Sequence, residues 1–235
     1  MSKRYVVTGA PGAGKTALLH ALKARHWSVV EEAATDVIAD EQAGGCDEPW
    51  SSHDFTGRVA ALQRQRQLTA PEADVQLYDR SPWCTLALAR FLGHPVPLAL
   101  SREIARVAAN AVYERTVIFV RLLGFVEPTA ARRISYADCL VFEALHEAVY
   151  RNHGFTLLDV EPGSVDARAA AVEAQLARES SRVADHRQPH PSAPAPGKTP
   201  ANPQTNPAGA GAHPNGTPGR GRGPRLPDSS HGPGW

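Results

Sequence analysis

The sequence predicts an α/β protein, a parallel sheet covered by helices on both faces, followed by a disordered C-terminal tail. Three observations carry that prediction. First, Gly9-Ala10-Pro11-Gly12-Ala13-Gly14-Lys15-Thr16 reads G-x-x-x-x-G-K-T, a P-loop, between the apolar run Tyr5, Val6, Val7 and a helix-like pattern. Second, strand-like and helix-like segments alternate along the chain, the rhythm of parallel strands joined by helical crossovers. Third, twelve of the 20 prolines lie from Pro189 onward, in a stretch of Pro, Gly, Ala, Asn and Ser that cannot bury enough apolar surface to offset its ordering entropy. The expected division is a nucleotide-binding domain over 1–180 and a disordered tail over 181–235.

The elements follow in order. Ala17, Leu18, Leu19, Ala21 and Leu22 recur at helical spacing and predict a helix from Lys15 to about Arg25. Trp27 to Val30 is a short buried strand ending on Glu31 and Glu32, and Ala33 to Ala43 a helix stopped by Gly44-Gly45. A turn-rich segment with Pro49-Trp50 leads to a helix over Asp54 to Leu68, with Phe55, Val59, Ala60 and Leu62 as its apolar side and Arg58, Arg64 and Arg66 among its polar positions. Val75 to Tyr78 is a strand delivering Asp79-Arg80-Ser81 into a turn, and Pro82 takes the first helical position with Ser81 as cap, in a helix to about Leu92. Past Gly93-His94-Pro95, Ser101 is expected to cap a helix to about Val112, and Thr116 to Leu122 is the most strand-like run of all. Gly124 to Arg133 reads as a loop. Ser135 and Asp138 have capping-box spacing and open a helix to about Asn152; Phe155 to Val160 is the last strand and Ser164 to about Arg178 the last helix.

Composition narrows the partners. A net charge of +1 supplies no field favouring nucleic acid or an anionic membrane, and Arg220-Gly221-Arg222-Gly223 is too brief a basic run to bind RNA. Cys46, Cys84 and Cys139 are widely spaced and suggest reduced, buried thiols, neither disulfides nor a zinc site. Without a leader-like N-terminus or an 18-residue apolar run, the expectation is a soluble, cytoplasmic protein with no membrane partner. Nothing in the sequence speaks to its oligomeric state.

The chemistry expected of the site starts at the P-loop. Glycines let the backbone wrap an anion, and Gly9, Ala10, Pro11, Gly12, Ala13, Gly14, Lys15, Thr16 and Ala17 together would bind the phosphates of ATP through backbone N–H groups and the helix N-terminus. Lys15, expected on an exposed loop, would reach the β- and γ-phosphates, and Thr16 would offer its hydroxyl to Mg²⁺. Lysine is scarce in this arginine-rich chain, occurring only at positions 3, 15, 23 and 198, and a compact ammonium at Lys15 suits a site among phosphate oxygens. Asp79, at a strand end, is the candidate second Mg²⁺ residue, and Arg80 beside it a candidate for an anionic group. Glu31 and Glu32 are candidates for a general base, with Glu32 preferred. Arg132 and Arg133 would neutralise charge on the transferring phosphoryl group from a lid. Histidines 20, 26, 53, 94, 146 and 153 lack metal spacing and are read as packing or surface residues.

These residues, in this order from Arg4 to Arg178, resemble the small AAA-domain predicted ATPases, a family similar to the ribosylnicotinamide kinase domain of bifunctional NAD regulators and, more distantly, to deoxynucleoside and thymidylate kinases. The resemblance implies a five-stranded parallel sheet with the Asp79 strand beside the P-loop strand, a mobile arginine-bearing lid, and a glutamate after the second strand that faces the acceptor. Two departures stand out: Thr35 takes the place of an arginine three positions after that glutamate, and the lid carries two adjacent arginines in place of a longer spaced set.

The function expected is a small-molecule kinase, acting on a nucleoside- or riboside-like acceptor with ATP and Mg²⁺. The alternative is a regulatory ATPase or nucleotide-dependent switch acting on a protein partner. The chain lacks the N-K-x-D motif of a GTPase switch and the L-S-G-G-Q signature of an ABC ATPase, and is too short for a full hexameric AAA+ module, which favours the kinase.

Overall fold

The structure, a computed structural model, describes residues 2–124 and 134–185, with side chains to residue 179. Strands β1 (Lys3–Thr8), β2 (Ser28–Val30), β3 (Val75–Asp79), β4 (Thr116–Val120) and β5 (Thr156–Val160) form one sheet in the order β2-β3-β1-β4-β5, all pairs parallel. Among the described residues, seven α-helices connect and cover them: α1 (Lys15–Ala24), α2 (Ala34–Ala43), α3 (Phe55–Thr69), α4 (Pro82–Phe91), α5 (Leu98–Ala109), α6 (Tyr136–Asn152) and α7 (Val165–Asp185).

The central strands are apolar on both faces because both faces are covered. Val6, Tyr78 and Val117 face one core with Phe55, Trp83, Phe142 and Tyr150. Their neighbours Val7, Leu77 and Ile118 face the other with Leu18 and Leu22 of α1 and Val172 of α7. Each fully buried aliphatic contributes about 1.5–3 kcal/mol, so alternate residues of one strand stabilise two separate layers.

Element order and type follow the sequence expectation, and the departures have physical causes. Ser101 caps nothing: α5 starts at Leu98 after Pro97, and the Ser101 hydroxyl donates back to the Pro97 carbonyl at 3.3 Å. Ser81 occupies the N-cap of α4 without a side-chain cap bond, because its hydroxyl is engaged with the Tyr150 hydroxyl at 2.7 Å. The expected capping box is present, with Ser135 and Asp138 each bonded to the other's backbone N–H. On α3 the buried side includes Gln63 and Gln67 beside Phe55 and Val59, while Leu62 is only partly buried. Cys84 and Cys139 are buried as expected, but Cys46 is exposed on the loop after α2. The last helix runs past Arg178 to Asp185, with no proline before Pro189 to stop it. Residues 181–185 of the expected tail are thus helical, and the rest, from residue 186 onward, lies outside the described residues. No described helix is long and apolar enough to cross a membrane.

Candidate functional site

β1 and its two neighbours on one side, β3 and then β2, deliver their carboxyl ends to one place. Asp79 lies opposite Val7 in register, and Tyr78 opposite both Val6 and Val30, so Gly9, Glu32 and Asp79 all emerge along one edge. Such an edge is where open α/β sheets bind ligands.

The loop from Gly9 to Gly14 is shaped by close packing as well as by its turn. Gly9 has φ +146°, and a Cβ there would sit 2.2 Å from the Val120 carbonyl oxygen, so the joint between β1 and the loop admits only glycine. Gly14, at φ +76°, is the N-cap of α1; no side chain caps that helix and no acid occupies its first turn. Its N-terminal dipole is therefore uncompensated, the condition for holding an anion. Lys15 is buried, contrary to the exposed loop expected of it, and its Nζ donates to the Ala10 carbonyl at 2.8 Å across the loop. Thr16 and Ala17 are exposed at the mouth.

Four charges meet behind the loop: Lys15, Glu32, Asp79 and Arg80. Arg80 Nε forms an ion pair with Glu32 Oε1, and Thr35 Oγ1 donates to Glu32 Oε2 at 3.0 Å. Thus Thr35 holds the glutamate directly. Burial pushes the Glu32 carboxyl up, but the Arg80 and Lys15 charges outweigh it and leave Glu32 below the ordinary glutamate range, ionised. Asp79 goes the other way: burial, reinforced by Glu32, raises it to about 6 against the pull of Arg80 and Lys15. Burial, with Arg80 nearby, brings Lys15 down to about 7.

Arg80 itself is held in an uncommon backbone state, φ +73°, with its N–H bonded to the Val7 carbonyl at 3.0 Å. A left-handed arginine is strained, and strain of this sort gathers at functional sites. Its guanidinium Nη1 lies 3.4 Å from His146 Nε2, on α6. His146 Nδ1 bonds the Phe142 carbonyl at 2.9 Å, which places the ring proton on Nδ1 and the Nε2 lone pair toward Arg80. Burial first, and Arg80 second, bring this ring down to about 3, so it is neutral.

A cavity of about 580 Å³ runs from the loop past these groups. Its polar end has Gly12, Lys15, Thr16, Asp79, Arg80 and Glu32; beyond them Ile38, Phe55, Val59, Leu88 and Phe142 line an apolar bay. On that bay's wall Thr85 Oγ1 donates to Gln63 Oε1 at 3.0 Å. Asp79 Oδ1 is buried with no hydrogen-bond partner among the described residues. An orphaned carboxylate oxygen near Thr16 and Lys15 suits a hard cation or the water bound to one. No group of three or more His, Cys, Asp or Glu side chains among the described residues could hold a metal alone, so such an ion would share its shell with phosphate oxygens.

Of the residues singled out from sequence, Lys15, Glu32 and Asp79 are brought together. Glu31 is not: it turns to the surface and pairs with Lys23 at 2.7 Å. Arg132 and Arg133 lie outside the described residues. His146, read as a packing or surface residue, and Gln63, which the sequence did not single out, both belong to the neighbourhood; neither carries a local motif, and only the packing of α6 and α3 brings them in.

Comparison with solved structures finds proteins of similar fold. A NadR protein in complex with NR superposes with a TM-score of 0.52 at 16% identity, over 77% of this chain and 51% of that one. The chain thus spans about half the length of that protein. A deoxyadenosine kinase from M. mycoides, with products dcmp and a flexible dcdp bound, gives a TM-score of 0.44 at 12% identity over 75% of this chain and 99% of that chain. No curated protein matches the sequence. A family model described as AAA domain matches residues 4–168, from β1 into α7, and the chain accordingly belongs to that family of P-loop proteins.

Proposed function

We propose that the protein is a small-molecule kinase that passes the γ-phosphoryl group of ATP to a hydroxyl of a nucleoside- or riboside-like acceptor. The observation that carries this reading is Glu32, ionised and oriented by Arg80 and Thr35 inside the cavity that also contains the phosphate loop. An acceptor seated in the apolar bay against Phe55 and Val59 would present a hydroxyl between Glu32 and the triphosphate. As its oxygen bonds to the γ-phosphorus, the hydroxyl proton passes to a Glu32 carboxylate oxygen, and the bond from that phosphorus to the β–γ bridging oxygen breaks to release ADP. Lys15 and Arg80 stand where charge accumulates on the phosphoryl oxygens. Thr16 and Asp79 would hold Mg²⁺, which would neutralise phosphate charge.

A standalone ATPase also orients its attacking water with a polar side chain, but it needs no roomy apolar bay beside that group. Because a NadR protein of this fold holds NR, ribosides are the first acceptors to test. Nucleosides, nucleotides and vitamin-like ribosides are screened for ATP-dependent phosphorylation against a no-acceptor control. Phosphorylated product from one class, well above acceptor-free hydrolysis, is the expected result. Hydrolysis that no acceptor changes would replace the kinase reading with a regulatory ATPase.

A further inference from the structure

The phosphate loop has a second side, and a buried arginine from the far end of the domain occupies it. Arg168, in the first turn of α7, is 3% exposed. Its Nη2 donates to the Ala13 carbonyl at 2.7 Å. Its Nη1 lies so close that a Cβ on Gly14 would come within 2.8 Å of it. Gly14 is therefore glycine for two reasons, its left-handed backbone and the guanidinium packed against it.

This cation is poorly compensated. The nearby acids of α7, Asp166 and Glu173, are both paired with Arg25. Arg168 Nε is buried without a hydrogen-bond partner, and no carboxylate pairs with the guanidinium among the described residues. Burial alone accounts for a shift of this group below the ordinary arginine value. A buried charge without a counterion is costly, so a fold that retains one has a use for it or meets an anion there.

Peptide geometry supplies the use. In a planar trans peptide the carbonyl and the following N–H point in opposite directions. With the Ala13 carbonyl drawn to Arg168, the Gly14 N–H is turned away from α7, and Gly14 lines the cavity. We propose that Arg168 is a positioning residue for the phosphate loop: it anchors the Ala13 carbonyl so that the Gly14 N–H faces a bound polyphosphate, and that polyphosphate offsets the arginine's charge from the other side of the peptide. The proposal rests on nucleotide binding at the P-loop and is independent of the acceptor. It also ties α7, the last element of the domain, to occupancy of a loop 155 positions earlier in sequence.

The test uses the full chain as wild type, Arg168→Met and Arg168→Lys, with calorimetric titration of Mg-ATP and of inorganic tripolyphosphate, and thermal melts without ligand. Arg168→Met is expected to bind both ligands about tenfold to a hundredfold more weakly, by a similar factor for each, since a charge-assisted hydrogen bond is lost behind the phosphates. Its ligand-free melting temperature should equal or exceed the wild-type value, because an uncompensated buried charge has gone. Arg168→Lys, keeping the charge and a donor, should stay within about threefold of wild type. Unchanged affinities in Arg168→Met overturn the proposal, as does a loss for ATP with tripolyphosphate intact, which would mark a contact to the base. A lower ligand-free melting temperature, or failure to fold, overturns the charge argument, and Arg168→Lys then decides the positioning role: affinities falling tenfold or more in that folded variant reject it. If wild type itself binds neither ligand, the P-loop reading fails and takes the proposal with it, an outcome distinct from wild-type binding that Arg168 does not influence.

Discussion

Glu32 and Asp79 end neighbouring strands, yet their surroundings drive them apart. Glu32 has the Arg80 guanidinium on one oxygen and the Thr35 hydroxyl on the other; Asp79 keeps a buried oxygen with no hydrogen-bond partner among the described residues. Under the proposed kinase reading, the difference gives them separate tasks. Glu32→Gln is expected to leave nucleotide affinity nearly unchanged while acceptor phosphorylation falls about 10²–10⁴-fold, the usual worth of a positioned base; transfer at the wild-type rate would remove Glu32 from the mechanism. Asp79→Asn should instead weaken Mg²⁺-dependent nucleotide binding and slow every phosphoryl reaction, acceptor-free hydrolysis included, as separate titrations with and without Mg²⁺ would reveal. Asp79 also leaves a mark on stability. Its carboxyl rises from 3.8 to about 6 on folding, so the native state binds the extra proton between those values. The stability this contributes is fully present below pH 4 and is lost as pH rises through 6. Relative to wild type, Asp79→Asn should therefore gain stability between pH 4 and pH 7, by on the order of 1–3 kcal/mol. Urea unfolding of the ligand-free proteins across that range measures it, and parallel pH profiles would show that the carboxyl is unperturbed.

Among the elements, the joint where β1 becomes the phosphate loop is the least tolerant. Gly9→Ala would drive a methyl group into the Val120 carbonyl of β4, 2.2 Å away, at a φ that alanine rarely adopts. Parting β1 from β4 there is expected to cost more than about 2 kcal/mol, and a denaturation midpoint equal to wild type would show that the strands do not approach so closely. Helix α6 offers a milder change. Ser135→Ala removes half of its capping box and should cost about 1 kcal/mol, read as a lower denaturation midpoint. Helix ends also show how far local pattern reaches. The Ser135–Asp138 box works as its spacing predicts because both partners lie within four residues of each other. Ser81 has equally good credentials but gives its hydroxyl to Tyr150, 69 positions away, and no local signal announces a competitor so distant.

At the scale of the whole molecule, the order β2-β3-β1-β4-β5 turns separate segments into one site by setting the carboxyl ends of β1, β2 and β3 side by side. Ligand and fold are then coupled through the loop. Mg-ATP at about a hundred times its dissociation constant should stabilise the wild type by ~2.7 kcal/mol, and Lys15→Ala should lose most of that gain while remaining folded. A Lys15→Ala protein with the full nucleotide-dependent rise in melting temperature would reject the P-loop assignment. The sequence by itself determined the strand–loop–helix of the phosphate site, the alternation that makes a parallel sheet, and nearly every helix and strand, since each depends on residues within a turn or two of one another. Tertiary structure alone decided that Arg80 and Thr35 orient Glu32, that Lys15 is buried, and that His146, Gln63 and Arg168 attend the site. A charged or polar side chain takes its role from the partner that meets it after burial, and here those partners arrive from helices and strands far along the chain, across a sheet whose order no local pattern encodes.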